Sequence, residues 1–290
     1  METVEPGIVR AAAGEALSRR EFVAVGAIGL LGFQQRAVPT IGVQSYSFRD
    51  RPLADAIVAM QQLGLRSCEL WQAHVEPRRV PRDDMRRWRE TTPLDVFHKV
   101  RDQFSKAGIA LSAYNISIKD DFSDAEIARA FDMTKALGAP VITSSSNVNT
   151  VSRIAPVAER HGMLVGMHNH SRVDPNEFAT AGSLTDAIAK GRYIAINLDL
   201  GHFTAANEDA VAFLERHHQR IVTVHIKDRH RDQGPNVPLG TGDTPLPAAM
   251  RMIRDRGWQI PMNLEYEYKG GDTLDEIRRM LDYCRRTLHL

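Results

Sequence analysis

The chain has 290 residues, 43% of them hydrophobic and 25% charged, which is the composition of an ordinary globular protein. Its formal net charge of +1 argues against nucleic acid or an anionic membrane surface as the main partner. The two cysteines fit neither a zinc-site spacing nor a disulfide framework, and the length suits two small domains or one large barrel.

The N-terminal segment has the layout of an export signal. Arg19 and Arg20 stand directly before an uncharged run, residues 22–33, that is too short to span a bilayer as a stable helix. The string SRREF is similar to the twin-arginine type of signal, which carries folded proteins across the bacterial inner membrane. We therefore predict an export signal over residues 1–38 and a periplasmic or exported mature protein without an integral membrane span. If the segment instead packs on the domain as a helix, we expect a cytoplasmic protein.

From Thr40 onward, short apolar runs rich in Ile and Val alternate with longer amphipathic segments. Eight of these runs predict strands: TIGVQSYS from Thr40, RSCELW from Arg66, IALSAYN from Ile109, PVITSSS from Pro140, MLVGMHNH from Met163, YIAINLD from Tyr193, IVTVHIKD from Ile221 and IPMNLEYE from Ile260. Between them lie helical patterns such as DAEIARAFDMTKAL, which follows Ser123 as an N-cap and stops at Gly138.

Eight strand–helix units in about 250 residues predict a (β/α)8 TIM barrel over residues 39–290. The alternative is an open doubly wound sheet, which usually carries a glycine-rich nucleotide loop after its first strand. The segment QSYSFRDRP has no such glycine pattern, so the sequence favours the barrel. The arginine-rich stretches DDMRRWRE and EIRRMLDYCRR contain acids as well, and they are interpreted as solvated helix faces.

Polar residues alternate with apolar ones at the ends of the last four predicted strands, where the active sites of such barrels lie. The pairs that share a face are His168 with His170, Asn197 with Asp199, His225 with Lys227, and Glu265 with Glu267. A carboxylate inside a barrel needs a cation, and Lys227 is a candidate partner for one of them. Two imidazoles and two carboxylates that converge on one point indicate a divalent metal site, which predicts His168, Asp199, His225 and Glu265 as ligands.

The first four predicted strands carry weaker signals. Their candidates for the rim of the site are Gln44, Tyr46, Glu69, Trp71 and Tyr114. Among these we take Tyr46 and Glu69 as predicted substrate contacts.

The motifs HNHS, NLDLGH, HIKD, GTGDTP and NLEYEY together resemble the sugar phosphate isomerase/epimerase family, the xylose-isomerase-like barrels. The resemblance covers nearly everything from Thr40 to the C-terminus. It implies an enzyme with one divalent metal ion, Mn²⁺ first and Mg²⁺, Co²⁺ or Zn²⁺ as alternatives. The predicted ligands of this ion are His168, Asp199, His225 and Glu265. The chain departs from the family at His168, where many epimerases have glutamate.

The resemblance also implies roles for the residues around the metal. His202, Lys227 and Asp243 are expected to contact a small-molecule sugar, and Glu265, Glu267 and His170 are the candidates for catalytic acid and base. The expected reaction removes a proton from the carbon beside a carbonyl, as in isomerisation or epimerisation. Because His168 breaks the usual pair of carboxylates, a 3-keto-glycoside lyase or hydrolase and an inosose-type dehydratase, which begin with the same step, stay open.

Two hypotheses from other functional classes remain. A non-catalytic sugar-binding protein could keep the same metal site. An abasic-site endonuclease on this barrel would need a multi-metal cluster with more histidines and a basic groove, and both the net charge and the export signal count against it. A homo-oligomer is compatible with the sequence, which does not decide the oligomeric state.

Overall fold

A computed structural model describes residues 39–290, which contain a closed barrel of eight parallel strands. The barrel strands are β1 (Ile41–Gln44), β2 (Ser67–Trp71), β3 (Ala110–Asn115), β4 (Val141–Ser144), β5 (Leu164–His168), β6 (Ile194–Asp199), β7 (Ile221–Ile226) and β10 (Met262–Leu264). A short antiparallel pair, β8 (Asp228–Arg229) and β9 (Asn236–Val237), lies between the last two. Each barrel strand pairs with the barrel strand before it, and β10 pairs with β1 to close the ring, so the predicted TIM barrel is confirmed.

Within the described residues, α-helices follow the strands along the chain. They are α1 (Leu53–Gln62), α2 (Arg82–Thr91), α3 (Asp95–Lys106), α4 (Asp124–Leu137), α5 (Val151–His161), α6 (Ala181–Ala189), α7 (Leu200–Ala205), α8 (Ala210–His217), α9 (Leu246–Asp255) and α10 (Thr273–Leu288). None of these helices is long and apolar enough to cross a membrane. The export signal predicted for residues 1–38 lies outside the described residues and stays a prediction.

Helix α4 shows how local sequence sets the ends of these elements. The Ser123 hydroxyl accepts a hydrogen bond from the backbone N of Glu126 at 3.0 Å, and the Glu126 carboxylate accepts one from the backbone N of Ser123 at 2.8 Å. These reciprocal bonds form a capping box, which satisfies amide groups that the first turn leaves free. Gly138 ends the helix with a φ of 70°, a conformation that glycine adopts without steric cost. Both predicted ends of this helix are confirmed.

The hydrophobic core lies between the outside of the barrel and the apolar faces of the helices. Helix α9 buries Leu246, Ala249, Met250 and Ile253, which recur at helical spacing along one face. Strand β6 is buried at every position, as expected for a parallel strand covered on both sides. The inside of the barrel, by contrast, contains a buried polar layer, made of Glu69, Asn115, Thr143, Asn197 and Asn263.

Five of the eight predicted strands end earlier than the sequence predicted, namely β1 at Gln44, β4 at Ser144, β5 at His168, β7 at Ile226 and β10 at Leu264. Strand β5 stops at His168, so His170 lies in the loop beyond it and does not share a strand face with His168. The backbone leaves the ladder here because Asn169 bonds through its side chain to both backbone N and O of Asp199, and His170 N bonds to Phe178 O at 2.7 Å. Lys227 and Glu265 likewise follow the last residues of β7 and β10.

Candidate metal centre and active site

The carboxyl ends of the strands surround an open cavity of about 400 Å³. Its lining combines imidazoles, carboxylates, hydroxyls and two aromatic rings. The residues are Gln44, Tyr46, Trp71, Asn115, Ser117, Lys119, Ser145, His168, His170, His202, His225, Glu265 and Glu267. A cavity with this position and chemistry is where the catalytic residues of a TIM barrel lie.

Four buried side chains converge at the floor of the cavity. His168, Asp199, His225 and Glu265 each offer one ligand atom, and these atoms all lie within 4.8 Å of one another. His225 Nδ1 is 2.9 Å from Glu265 Oε2 and 3.7 Å from Asp199 Oδ2. The structure therefore brings together the four residues that the sequence predicted as a metal-binding set.

Two atoms of this cluster show that the donor set fits a metal ion. His168 Nδ1 is fully buried and has no hydrogen-bond partner in the described part of the chain, and the buried Asp199 Oδ2 likewise forms no hydrogen bond there, although Lys227 lies within ion-pair distance of it. Buried polar atoms normally have a partner because leaving one unpaired is costly. Burial, and then the neighbouring His225, lower the pKa of His168 well below its ordinary value, so its imidazole is neutral at pH 7 and able to donate a lone pair.

The turn that follows β6 fixes Asp199. Its Oδ1 accepts a hydrogen bond from the backbone N of His202 at 2.6 Å and so caps α7, which leaves Oδ2 to face the cluster. Gly201 is required here because a Cβ at this position would lie 2.8 Å from the backbone O of Lys227. The DLGH sequence thus lets α7 approach the end of β7 closely and sets Asp199, His202 and Lys227 side by side.

Lys227 neutralises part of the negative charge around the cluster. Its Nζ lies 3.1 Å from Asp199 Oδ2, 2.8 Å from Glu265 Oε2 and 2.6 Å from Glu267 Oε2. Burial disfavours the charged form of Lys227, but the three carboxylates outweigh it and raise the lysine pKa. Burial likewise opposes ionisation of Glu265, yet Lys227 and His225 hold the Glu265 pKa far below its usual value. For Asp199, His202 and Lys227 outweigh burial in the same way, so its pKa also lies well below the usual value.

Glu69 anchors His225 from beneath the cluster. His225 Nε2 lies 2.8 Å from Glu69 Oε2, on the side of the ring opposite the Nδ1 atom that faces Glu265. Glu69 is 0% exposed, and further donors surround its two oxygens. These donors are Thr143 Oγ1 at 2.6 Å, Asn263 Nδ2 at 3.0 Å, Asn197 Nδ2 at 3.2 Å and Asn115 Nδ2 at 3.4 Å.

The two carboxylates on either side of His225 control its charge. Burial disfavours the protonated ring, but Glu69 and Glu265 outweigh it and raise the His225 pKa well above its ordinary value. In the metal-free protein the ring therefore holds both protons and bridges Glu69 to Glu265. A carboxylate behind a histidine is the arrangement that orients the ring of a metal-binding imidazole and fixes which nitrogen faces the metal.

His202 lies at the edge of the cluster between two cations. Lys227 Nζ is 3.0 Å from its Nε2, and Arg229 Nη1 is 2.7 Å from its Nδ1. A neutral imidazole accepts at one nitrogen only, so only one of these contacts is a hydrogen bond at a time. Burial lowers the pKa of His202 to about 3, against the opposing charge of Asp199, so the ring is neutral at pH 7.

Glu267 and His170 bring two proton-transferring groups to the cavity wall. Glu267 lines the cavity, and its Oε2 is 2.6 Å from Lys227 Nζ. His170 also lines it, and its Nδ1 lies 3.6 Å from Glu177 Oε2. Burial, and then the charge of Lys119, lower the pKa of His170, which leaves this imidazole neutral at pH 7.

Three residues expected to contact substrate do not fit that role. Glu69 lies beneath the cavity with both oxygens bound by protein groups, so none is free for a sugar hydroxyl. Lys227 is 2% exposed, and its ammonium is held by carboxylates. Asp243 lies in an exposed loop outside the cavity lining, where it accepts hydrogen bonds from the backbone N of Arg231 and from His230. Tyr46 and His202, in contrast, line the cavity as expected.

Sequence reasoning missed the donors around Glu69 and one wall of the cavity. Asn115, Thr143 and Asn263 are polar residues within otherwise apolar strands, and that pattern is a usable signal for an inward-facing polar layer. Ser117 and Lys119 lie in the loop after β3, where no periodic pattern indicates which side chains face the cavity.

The chain has informative relatives among family models and solved structures. The family model described as Xylose isomerase-like TIM barrel matches residues 57–287. Among curated proteins, no relative matches the chain. The solved structure of 3-keto-D-glucoside 4-epimerase from E. coli is 15% identical with a TM-score of 0.65, and the match covers 86% of this chain and 100% of that one.

Two further solved structures have a similar fold at comparably low sequence identity. L-ribulose 3-epimerase is 14% identical with a TM-score of 0.65, over 87% of this chain and 95% of that one. A sugar phosphate isomerase/epimerase from Parabacteroides distasonis is 16% identical with a TM-score of 0.60, over 85% and 96% of the two chains. At these identities the similarity to solved structures establishes the fold, and the family model extends over most of the sequence. The chain therefore belongs to the xylose isomerase-like TIM barrel family.

Proposed function

We propose that this protein is a divalent-metal-dependent enzyme that removes a proton from the carbon beside a carbonyl of a sugar or keto-sugar, as an isomerase or epimerase does. The observation that carries the proposal is the buried cluster of His168, Asp199, His225 and Glu265, in which His168 Nδ1 lacks any hydrogen-bond partner in the described chain. The names of the epimerases with the same fold agree with this reaction class.

The four residues offer two nitrogens and two carboxylate oxygens, a mixed set that suits Mn²⁺, with Mg²⁺, Co²⁺ or Zn²⁺ as alternatives. An ion held there would supply a Lewis acid that stabilises the negative charge that develops on a carbonyl oxygen during proton removal. Binding at His225 Nδ1 requires that this nitrogen lose its proton, while Nε2 keeps its hydrogen bond to Glu69.

Glu267 is the proposed base, because it is a carboxylate that lines the cavity and stands outside the four-residue cluster. Its contact with Lys227 fixes the position of the carboxylate. His170 is the proposed second proton-transferring group, from the loop after β5. Glu265 serves as a ligand in this scheme, since it contacts His225 and Lys227 at the floor.

A second candidate is elimination from a keto-sugar, as in a 3-keto-glycoside lyase or hydrolase or an inosose-type dehydratase. It is favoured by the asymmetry of the cavity, where a carboxylate, Glu267, is matched by an imidazole, His170, instead of another carboxylate. The neutral imidazole could remove the proton and then, as an imidazolium, donate that proton to the leaving oxygen. An abasic-site endonuclease is disfavoured because residues 39–290 hold a single four-residue cluster, not a multi-metal one.

Hydrogen exchange tests the proposal directly. The purified protein, stripped with a chelator and reloaded with Mn²⁺, is incubated in deuterated water with a panel of ketoses, keto-sugars and 3-keto-glycosides. We expect deuterium to enter the carbon beside the carbonyl of at least one compound, and we expect the chelated protein to lose this activity.

The products of the reaction distinguish the remaining functional hypotheses. Recovery of an isomer or epimer supports the first candidate, and release of water or an aglycone supports elimination. Metal-dependent binding of a sugar without any exchange would contradict the enzyme proposal and identify a sugar-binding protein instead.

A further inference from the structure

The wall of the cavity opposite β7 presents a group of unpaired hydrogen-bond donors. Ser117 and Lys119 follow β3, Ser145 follows β4, and all three line the cavity. In the closed ring of eight strands, β3 lies four places from β7 in either direction, so this donor wall (Ser117, Lys119 and Ser145) faces the strand that carries His225. A ligand that fills the cavity therefore meets both the cluster and the donor wall.

Lys119 has no acidic partner among residues 39–290. No carboxylate in this range forms an ion pair with its ammonium, although the other lysine at the site, Lys227, contacts three of them. The hydroxyls of Ser117 and Ser145 likewise form no hydrogen bond within the described residues. This wall of the cavity therefore carries an ammonium and two hydroxyls that have no protein partners, and none of the three brings a negative charge.

The backbone around Lys119 is held in place on both sides. The Ser117 backbone N donates to Gln72 Oε1 at 2.5 Å. On the other side, Asp120 Oδ2 accepts a hydrogen bond from Asn176 Nδ2 at 2.7 Å. The acidic neighbour in sequence is therefore engaged elsewhere, and the lysine extends from a fixed point at the cavity edge. Such preorganisation lowers the entropic cost of binding a ligand.

We propose that the natural substrate carries an anionic group, a carboxylate or a phosphate, and that the donor wall binds this group while the carbonyl end of the substrate lies at the metal cluster. This inference rests on the proposed function only for the carbonyl end of the substrate. A neutral ketose would leave the Lys119 charge unpaired, whereas an anion gains charge-assisted hydrogen bonds from the ammonium and the two hydroxyls.

Binding measurements with matched ligands test the inference. A panel of 2-ketohexoses of differing stereochemistry is prepared in three forms, with the terminal carbon as a hydroxymethyl group, a carboxylate or a phosphate ester. Isothermal titration with the Mn²⁺-loaded protein is expected to show one anionic form binding about 10- to 100-fold more tightly than its neutral counterpart. Comparison of the carboxylate with the phosphate then identifies the anion.

Variants assign the preference to the donor wall. Lys119→Met is expected to abolish the preference for the anion, while Lys119→Arg retains most of it. Lys99→Met, on the exposed face of α3, makes the same change in net charge and is expected to alter nothing.

The inference is overturned if wild-type protein binds anionic and neutral forms equally, if it binds none of them, or if Lys119→Met keeps the preference. These outcomes are separate from those of the exchange experiment. Exchange into a neutral ketose without any anion preference would leave the proposed reaction standing. Anion preference without exchange would leave the donor wall standing and contradict the reaction.

Discussion

Glu69 and His225 form the contact on which the geometry of the cluster depends. The carboxylate takes Nε2 of the ring, and the other nitrogen, Nδ1, is thereby the one presented to Glu265 and Asp199. Loss of such a partner typically costs 10- to 100-fold in metal affinity, because the ring loses its fixed orientation and tautomer. The function of Glu69 is thus exerted through His225, which makes it a positioning residue.

We predict that Glu69→Gln weakens Mn²⁺ binding by about 10- to 100-fold, as measured by isothermal titration. The amide has one accepting oxygen where the carboxylate had two, so it cannot serve His225 and the donors on the other side together. The ¹⁵N chemical shifts of the His225 ring in the metal-free protein should change as well, which reports on tautomer and protonation independently of activity.

Thr143→Val is the matched control. It removes the hydrogen bond to Glu69 Oε1, the oxygen that does not contact His225, from the same buried layer. We expect this variant to lose stability but to keep Mn²⁺ affinity within about threefold. Equal losses of affinity in the two variants would assign Glu69 a merely structural role.

Glu267 provides a second prediction at the residue scale. Glu267→Gln keeps the size of the side chain but cannot accept a proton, so we expect deuterium exchange to fall by about 10²- to 10⁴-fold. Metal content, measured by elemental analysis, should stay at the wild-type value, because Glu267 lies outside the four-residue cluster. An unchanged exchange rate would remove Glu267 from the mechanism and leave His170 as the base to test.

At the scale of elements, helix α2 is attached to the barrel by a buried arginine. Arg89 makes two hydrogen bonds to Glu76, at 3.0 and 2.8 Å, and one to Glu126 at 3.2 Å. The mixture of acids and arginines in this stretch predicts a solvated helix face, and for Arg89 that prediction is wrong. The helix has a charged sequence, and no local pattern indicates that Arg89 finds its two acids 13 and 37 residues away.

We predict that Arg89→Met destabilises the protein by about 3 kcal/mol, because it leaves two buried carboxylates without this partner. For a chain of this size that corresponds to a fall in Tm of roughly 5 to 10 °C. Arg87→Met on the same helix is the control, since the Arg87 side chain is 73% exposed and should change Tm very little. A similar fall in both variants would show that helix propensity, and not the buried ion pairs, is responsible.

The sequence predicted most of the architecture because strands and helices of this barrel are set by local patterns. Alternating apolar runs indicated the strands, and residues such as Ser123 and Gly138 indicated helix ends. The four cluster residues were predictable because strand ends meet at one face of the barrel. The role of Glu69 was not predictable, since its partners come from other strands as far as 194 residues away. The position of Lys119 in the cavity wall was not predictable either, because a loop has no periodic pattern that indicates which way its side chains point.

For the whole molecule, metal binding and folding should be linked. A ligand that binds only the folded state adds about 2.7 kcal/mol at 100 times its Kd. We therefore expect saturating Mn²⁺ to raise the Tm of the chelated protein by roughly 5 to 10 °C. His168→Ala should abolish most of this shift. A Tm that does not respond to Mn²⁺, Mg²⁺, Co²⁺ or Zn²⁺ would contradict the metal site.

Acid should destabilise the metal-free protein. The pKa values of Asp199 and Glu265 are lowered on folding from ordinary values of 3.8 and 4.5. A carboxyl group of this kind contributes stability above its unfolded pKa and loses that contribution as the pH falls towards its folded pKa. We expect the Tm of the chelated protein to decline in thermal scans as the pH falls below about 6.5, where His168, His170 and His202 resist protonation, and to decline further below about pH 4.5 through the two carboxyl groups. Asp199→Asn should flatten the decline, and a wild-type Tm that is constant down to pH 3 would contradict it.

Because of the polar layer beneath the cavity, we expect the site to bind metal and act as an enzyme only when the barrel is complete. Glu69 belongs to the second strand and Asn263 to the last, so the acid gains its full shell of donors only when the ring has closed. A nascent chain without β10, or a chain that a protease has cut before β10, leaves Glu69 exposed. Nothing then fixes the orientation of the His225 ring. Fragments that retain all the histidines of the second half are therefore expected to be inert, and no partially active intermediate should accumulate during synthesis or turnover.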